Sequence, residues 1–411
     1  MTTLDTVSLL SSEDDHQNLD QNLELSEDER HLSKDDCDET KKTVQLPLCN
    51  RSISKNLAGT IITIITVFGQ SGMAIALPTF SVAVNAAHCH SNQYFVLIYP
   101  AMWFPIIFSL IAFASKAINP KFSLKSYTAI KAYIILGLLC AVNCLLVTFA
   151  SLPDRTPPNL QGILGITIIP FTVILRYAIL RKKVGVGRLL CTLGTLVGLF
   201  ITLVPNIFNI EKNKHHGSKS VIWPLIFILG ILPAAIANVL QEKEMKRDYR
   251  EESLVFQAWV AWYNVFFLGL LFWTGFIPHF GQASNIQQFQ HQMDCGFLSQ
   301  FGGGKGKVPS YPWALGAAWL FISFYCIANQ AALLLLRYSD GAIYLVIVQA
   351  IIPPIVAIFW TLFTLKGGFH WHPRFTDSSA FVFAGIIVIL PCIIIYNYLT
   401  LKEEKAESNK I

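Results

Sequence analysis

Charged residues and cysteines are both scarce in this 411-residue chain. Only 14% of the residues are charged, against 53% that are hydrophobic, which is far from the balance of soluble domains. The nine cysteines are too few and too scattered for a disulfide scaffold, and no C-x-x-C pair indicates structural zinc. These shortages argue against a water-soluble enzyme and against a metal site, and no cofactor is expected.

Acidic residues are concentrated at the start of the chain, where 13 of the 26 precede residue 57. Residues 1–56 have no apolar periodicity and predict a disordered cytosolic tail. The first apolar run begins too late for a secretory signal, and the tail is too acidic for a transit peptide. The net charge of +5 is dispersed among short connections, so we expect no nucleic-acid partner.

From residue 57 onward, ten apolar stretches approach the roughly 20 residues that cross a bilayer. This pattern predicts an all-α, polytopic membrane protein. The stretches cover approximately 57–84, 94–114, 128–150, 160–180, 189–208, 221–240, 254–276, 313–336, 341–365 and 379–400. The eighth and ninth lie so close together that nine spans is an alternative.

Lysine and arginine set the orientation, because basic connections stay in the cytosol. With a cytosolic N-terminus, twenty of these residues face the cytosol and eight face the opposite side. Both termini are therefore expected in the cytosol, including a C-terminal tail at 401–411.

An Ile-Ile-Pro triplet recurs at Pro170 in the fourth stretch and at Pro353 in the ninth. The recurrence fits two inverted five-helix repeats, 57–208 and 209–400, the second with a long lumenal loop at 277–312. Chance recurrence in an isoleucine-rich chain is the alternative. A proline in the middle of a span frees a carbonyl and kinks the helix, so both prolines are candidate gating residues.

One segment resembles a known family. It reads Arg155-Thr156-Pro157-Pro158-Asn159-Leu160-Gln161, and it is followed by Ile169-Pro170 and Ile179-Leu180-Arg181. This pattern is similar to the opening and end of the fourth span in the chloroquine resistance transporter family, within the drug/metabolite transporter superfamily. Tyr344, nine residues before Pro353, and the long 277–312 connection extend the resemblance.

The resemblance implies ten helices in two inverted halves around a central cavity, in the membrane of an acidic vacuole, lysosome-like compartment or plastid. It also implies export of small solutes such as amino acids, short peptides, glutathione-like thiols or cationic drugs. The family's vacuolar branch has several cysteines in the loop between spans seven and eight, where this chain has only Cys295. Cys89, in the first loop on the same side, makes a Cys89–Cys295 bond a hypothesis. That branch also carries an acid in the third span, where this chain reads Leu138-Leu139-Cys140-Ala141, which weakens any transfer of its preference for cations.

No Asp or Glu lies within any of the ten stretches, and Arg176 is the only charge well inside one. Arg176 can snorkel to the cytosolic surface. Neutral polar and aromatic groups near the middle of the spans therefore form the expected substrate-binding set, because amides suit a zwitterion or a neutral solute. Hydrogen bonding between helices is the alternative for each one. The set consists of Gln70, Tyr99, Asn143, Gln161, Thr167, Asn329, Gln330, Tyr344 and Gln349.

Eight of the ten histidines fall in connections predicted to be lumenal. Their ordinary pKa near 6.5 lets them become charged in an acidic lumen. We therefore predict lumenal pH sensing by His88, His90, His370 and His372. The alternative is that histidine is simply a common loop residue.

The tail segment from Asp5 to Leu9 and Leu10 resembles an acidic dileucine signal, which adaptor complexes read for delivery to lysosomes and vacuoles.

Together these features predict an alternating-access transporter in a lysosomal or vacuolar membrane. Its expected partners are a small solute, protons, the bilayer and an adaptor complex. A nucleotide-sugar antiporter of the same superfamily and a non-transporting scaffold or receptor are the alternatives. The enzyme class is not favoured, because no nucleophile, base and metal constellation is present.

Overall fold

The computed structural model describes residues 43–45 and most of the chain from residue 52 to residue 408. The described ranges after the tail are 52–85, 91–152, 154–157, 160–161, 164–180, 185–207, 219–247, 251–302, 312–338, 345, 348–349, 351–365, 368–373, 375 and 377–408. The chain divides into two compact units, residues 1–60 and residues 61–411. All tertiary packing discussed below lies within the second unit.

Helices dominate the described residues. In chain order they are α1 (Lys55–Asn85), α2 (Gln93–Ile118), α3 (Ile130–Ala150), α4 (Ile168–Leu180), α5 (Val186–Ile207), α6 (Lys219–Arg247), α7 (Ser253–Leu270), α8 (Ile286–Phe301), α9 (Pro312–Tyr338), α10 (Ile352–Leu362) and α11 (Asp377–Ser408). Short 3₁₀ helices occupy Gly165–Thr167 and Phe272–Phe276.

Within the described residues, seven helical segments are long and apolar enough to cross a membrane. They are Leu57–Asn85, Gln93–Ile118, Ile130–Ala150, Ile222–Arg247, Ser253–Leu270, Trp313–Arg337 and Ser379–Tyr396. Shorter apolar segments lie at Val186–Gly198 and Ile352–Leu362. The polytopic, helical class is therefore confirmed, whereas the count of ten spans remains a prediction.

Two small antiparallel strand pairs accompany the helices. In the tail, β1 (Thr43–Gln45) pairs with β2 (Ser52–Ser54), so the expectation of a disordered tail does not hold for these six residues. After α10, β3 (Phe363–Leu365) pairs with β4 (Phe369–Trp371). This second pair lies in the connection that leads to α11.

The long connection after α7 contains a helix that sequence periodicity did not reveal. Asn285 caps the start of α8, because its side chain accepts a hydrogen bond from the Gln288 N–H at 2.8 Å. Gly302 follows the last residue of α8 with a φ of 73°, a positive value that glycine adopts readily. The segment 277–312 is therefore partly structured.

The two prolines of the Ile-Ile-Pro triplets lie at helix beginnings. Pro353 is the second residue of α10, where a proline removes no helical hydrogen bond. Pro170 is the third residue of α4 and follows the 3₁₀ turn Gly165–Thr167. Described residues before each proline are also helical, at 160, 161 and 164 before Pro170 and at 345, 348 and 349 before Pro353. Each proline therefore follows an interruption between helical segments of its predicted span, and its gating role stays a prediction.

α3 is central to the helix packing, since it lies along both α6 and α7. The other extensive pairs are α2 with α7, α4 with α6, and α5 with α11. Glycines allow two of these close approaches. A Cβ on Gly137 of α3 would contact Tyr263 of α7, and one on Gly230 of α6 would lie 2.9 Å from the Leu146 Cβ of α3.

Candidate functional site

Aromatic rings line the region where α1, α2 and α9 meet. The ring of Phe104 in α2 stacks on that of Tyr325 in α9, with centroids 3.8 Å apart. Tyr99 stacks on Phe95 at 5.2 Å, and Phe80 of α1 stacks on Phe321 of α9 at 6.5 Å. Tyr99, a predicted substrate contact, is therefore buried within an aromatic cluster.

Several of the predicted substrate-binding groups already have hydrogen-bond partners. The Asn143 amide donates to the Gly230 carbonyl oxygen of α6 at 2.8 Å, and the Asn329 amide donates to the Tyr325 carbonyl oxygen of its own helix. The Thr167 hydroxyl donates to the Leu164 carbonyl oxygen. Interhelical bonds of the Asn143 type contribute about 0.6 kcal/mol on average in membrane proteins. We therefore assign Asn143 to helix packing.

Gln161 holds the loop that contains the family-like motif. Its side-chain amide donates to the Ser151 and Thr156 carbonyl oxygens, each at 2.7 Å. Only 7% of Gln161 is exposed. In this arrangement the side chain fixes the end of α3 against the start of the fourth predicted span.

Six buried oxygen atoms in the predicted spans lack a hydrogen-bond partner among the described residues. They are Ser71 Oγ, Tyr99 Oη, Thr172 Oγ1, Asn264 Oδ1, Gln330 Oε1 and Gln349 Oε1. The Tyr99 hydroxyl lies near the Trp103 side chain, one helical turn along, without a hydrogen bond of normal geometry. A buried polar atom left unpaired costs about 1–3 kcal/mol. These oxygen atoms lie on several elements, and each is a candidate contact for a polar solute.

The orientation of Gln330 is fixed by a neighbouring helix. Its amide nitrogen donates to the Ser253 hydroxyl of α7 at 2.9 Å, which leaves its carbonyl oxygen unpaired. On α7 itself, Asn264 is only 3% exposed. The indole nitrogen of Trp360 in α10 is a donor with no partner in the described ranges. Acceptors thus outnumber donors in this set.

The remaining predicted site residues are placed only in part. Gln70 is half-buried in α1, and His370 and His372 are exposed at and after β4. Cys295 forms a disulfide, while the described cysteines 140, 144, 191, 326 and 392 are free. The partner of Cys295 therefore lies outside the described residues, and Cys89 remains a prediction. Also outside them are Tyr344, His88, His90, the side chain of Arg176, and the dileucine residues Asp5, Leu9 and Leu10.

Gln93 is a structural centre that the sequence did not reveal. It is fully buried at the start of α2. Its side chain accepts from the Ser81 hydroxyl at 3.2 Å and donates to the Thr148 carbonyl oxygen at 3.0 Å. The sequence pattern assigns Gln93 to a loop, because the predicted apolar stretch 94–114 begins one residue later.

Arg155, which belongs to the family-like motif, lies next to the C-terminal end of α3. Its guanidinium donates to the Phe149 and Phe280 carbonyl oxygens at 2.8 and 3.0 Å and lies 3.7 Å from the centre of the Trp223 ring. Burial lowers its pKa to about 10. Metal binding has no support among the described residues, which contain no group of three candidate ligands.

Comparison with known proteins identifies the class of molecule. Residues 83–396 match the model of a transporter family described as CRT-like, chloroquine-resistance transporter-like. The chain therefore belongs to the CRT-like family, and the resemblance seen in the motif is confirmed. It is a multi-pass membrane protein of a transporter family.

Individual relatives are distant. The chain is similar to Crt homolog 3 of Dictyostelium discoideum, with 23% identity over 63% of this chain and 56% of that protein. It is also similar to the chloroquine resistance transporter of Toxoplasma gondii, with 22% identity over 62% of this chain and 29% of that protein. Crt homolog 1 of Dictyostelium discoideum shares 24% identity over 34% of this chain and 29% of that protein. The alignments thus span about half or less of each relative.

Proposed function

We propose that this protein is an alternating-access transporter that exports small polar metabolites from an acidic lysosomal or vacuolar lumen to the cytosol, coupled to protons. The observation that carries the proposal is the set of six buried oxygen atoms in the predicted spans that have no hydrogen-bond partner within the described part of the chain. Polar groups that lack partners inside a membrane protein persist where function needs them. A polar solute would supply the missing hydrogen bonds.

The chemistry of these atoms favours a solute rich in N–H donors. Amide and hydroxyl oxygens accept hydrogen bonds, so an ammonium group or a peptide N–H satisfies them. Amino acids, short peptides and glutathione-like thiols carry such groups. A nucleotide sugar instead presents phosphate acceptors and requires fixed cations, and the predicted spans contain only Arg176 well inside the bilayer. The nucleotide-sugar antiporter is therefore the second candidate.

Alternating access is supported by how the helices pair. If the first and last five of the ten predicted spans are symmetry mates, α2 corresponds to α7 and α5 to α11. Each of these helices packs along its own mate. The α3–α7 pair would likewise correspond to the α9–α2 pair, which is also in contact. This pattern is what two inverted halves would produce.

Proton coupling would use groups outside the ten stretches predicted from the sequence, because those stretches contain no carboxylate. The exposed His370 and His372 are candidates, together with a solute that carries the proton itself. A gradient-dependent uptake rate would be the expected sign of coupling.

The uptake of labelled solutes by proteoliposomes tests the transport proposal. We expect saturable uptake of glutathione, a dipeptide or a neutral amino acid. Asn264→Leu should raise the KM about tenfold, because a hydrogen bond to a charged group contributes about 1.5–3 kcal/mol. The matched control Asn143→Leu removes a packing amide and should leave the KM unchanged. Saturable uptake of a UDP-sugar would favour the antiporter, and no flux of any solute would favour a scaffold.

The location proposal has its own test. Changing Leu9 and Leu10 to Ala should move the protein from lysosomes or vacuoles to the cell surface, because adaptor recognition requires both leucines. Surface biotinylation measures the shift, and Leu4→Ala, just outside the motif, is the control. Unaltered targeting of the double variant would contradict a dileucine address.

A further inference from the structure

Glu251 is a fully buried acid that joins several elements at one end of the bundle. The described surface leaves it 0% exposed. One carboxylate oxygen accepts the backbone N–H groups of Tyr127 and Thr128, the latter at 2.8 Å. The other accepts the Tyr133 hydroxyl of α3 at 3.0 Å. The Ser126 hydroxyl also donates to the first carboxylate oxygen at 3.5 Å. A single side chain thus collects four donors from the α2–α3 connection and α3.

The backbone of Glu251 extends the same junction to α9. Arg337, near the end of α9, donates from its guanidinium to the Glu251 carbonyl oxygen at 2.6 Å. Two residues further on, Ser253 accepts the Gln330 amide at 2.9 Å. Glu251 precedes α7 by two residues, so it connects α3, α7 and α9 where their ends meet. We name these contacts the Glu251 clamp: Glu251 with Tyr127, Thr128, Tyr133 and Arg337.

An apolar layer lies directly behind the clamp. Tyr133 of α3 packs on Phe256 and Tyr263 of α7, with ring centroids 5.3 and 6.4 Å apart. Leu136, Val260 and Leu333 belong to the same buried cluster, and Cys140 packs against its edge. This layer would separate the candidate oxygen atoms from the aqueous phase on the clamp side. By the predicted topology, that side is the cytosol.

Separating α3 from α7 would break the clamp as a unit. A carboxylate in a buried site is stable only while donors surround it. Hydrogen bonds to a charged acceptor are also stronger than neutral ones. The clamp therefore favours the closed arrangement of this end over an open one.

We propose that Glu251 is a positioning residue of the transport cycle, which holds the cytosolic end closed until α3 and α7 move apart. This inference rests on the proposed alternating-access function. It assigns the cytosolic gate to the ends of α3, α7 and α9, with Glu251 as the group that joins them.

Modification of Cys140 by a membrane-impermeant maleimide tests the proposal. Sealed vesicles are sorted by which face is outward, using cleavage of a C-terminal tag, and labelling is read by peptide mass spectrometry. Glu251→Gln places an amide NH₂ or a weaker acceptor against the backbone donors. It should speed labelling from the clamp side about tenfold, a change that corresponds to about 1.4 kcal/mol, without speeding labelling from the opposite side.

Two further variants calibrate the result. Tyr133→Phe removes one donor to the clamp and should speed labelling from the clamp side to a smaller extent. Tyr133→Phe also replaces Glu251→Gln as the test variant if Glu251→Gln does not fold. Asp294→Asn makes the same acid-to-amide change at an exposed position of α8, a helix that contributes no residue to the clamp, and should leave the rate unchanged.

Unchanged labelling in both Glu251→Gln and Tyr133→Phe would overturn the proposal. Equal acceleration from both faces would also overturn it, because a general loosening of the protein would expose Cys140 to both faces. Labelling is measured without solute, so its outcome is independent of flux. Normal uptake with unchanged labelling would contradict only the proposal that Glu251 holds the gate. Faster labelling from the clamp side without uptake of any solute would contradict only the proposed transport function.

Discussion

Gly137→Ala should destabilise the protein by about 3 kcal/mol, at the upper end of the usual cost of overpacking. The added Cβ would contact the Tyr263 Cβ and lie 2.8 Å from the Tyr263 carbonyl carbon and 3.0 Å from the Asn264 nitrogen. Backbone atoms cannot turn aside as a flexible side chain does. α3 and α7 would therefore have to separate along their contact, and a thermal unfolding curve in detergent should show a lower melting temperature.

Gly269→Ala is the matched control for this prediction. Gly269 lies on α7, the helix against which Gly137 packs, but a Cβ there meets nothing within 4 Å. Because alanine is the better helix former by about 0.5–1 kcal/mol, this variant should be neutral or slightly stabilised. Equal melting temperatures for the two variants would contradict the close α3–α7 contact.

Gln161→Leu should destabilise the protein by about 2 kcal/mol or more, since it leaves buried carbonyl oxygens without donors. Leucine has a similar size, so the change isolates the two hydrogen bonds to Ser151 and Thr156. The connection between α3 and the fourth predicted span would lose its central contact. Thermal unfolding again measures the effect, and proteolysis near Arg155 should become faster.

Gln287→Leu provides the comparison. Gln287 is exposed on α8, and surface substitutions usually change stability by no more than about 0.5 kcal/mol. If Gln161→Leu had the same melting temperature as Gln287→Leu and the unmodified protein, Gln161 would not be a structural residue. It would then return to the substrate-binding set that the sequence predicts.

The helices were largely predictable, because a bilayer imposes length and hydropathy on every span. The stretches at 94–114 and 128–150 match α2 and α3 with ends that differ by a few residues. The beginning of α10 at Ile352 was not predictable, since an apolar run does not reveal where its helical part starts.

The polar contacts were harder to predict than the helices. Asn143 and Gln330 have similar sequence surroundings, yet one amide bonds a carbonyl of α6 and the other leaves an oxygen unpaired. Which partner an amide finds depends on the rotation of each helix about its axis. Glu251 was equally hidden, because its donors come from residues more than 100 positions away in the chain.

The positive charge of Arg155 does not depend on the pH of the compartment that it faces. Its pKa of about 10 lies far above the pH of any cellular compartment, so the guanidinium on Trp223 keeps its proton throughout. Acidification of either compartment therefore leaves the contacts of Arg155 with Phe149, Phe280 and Trp223 unchanged.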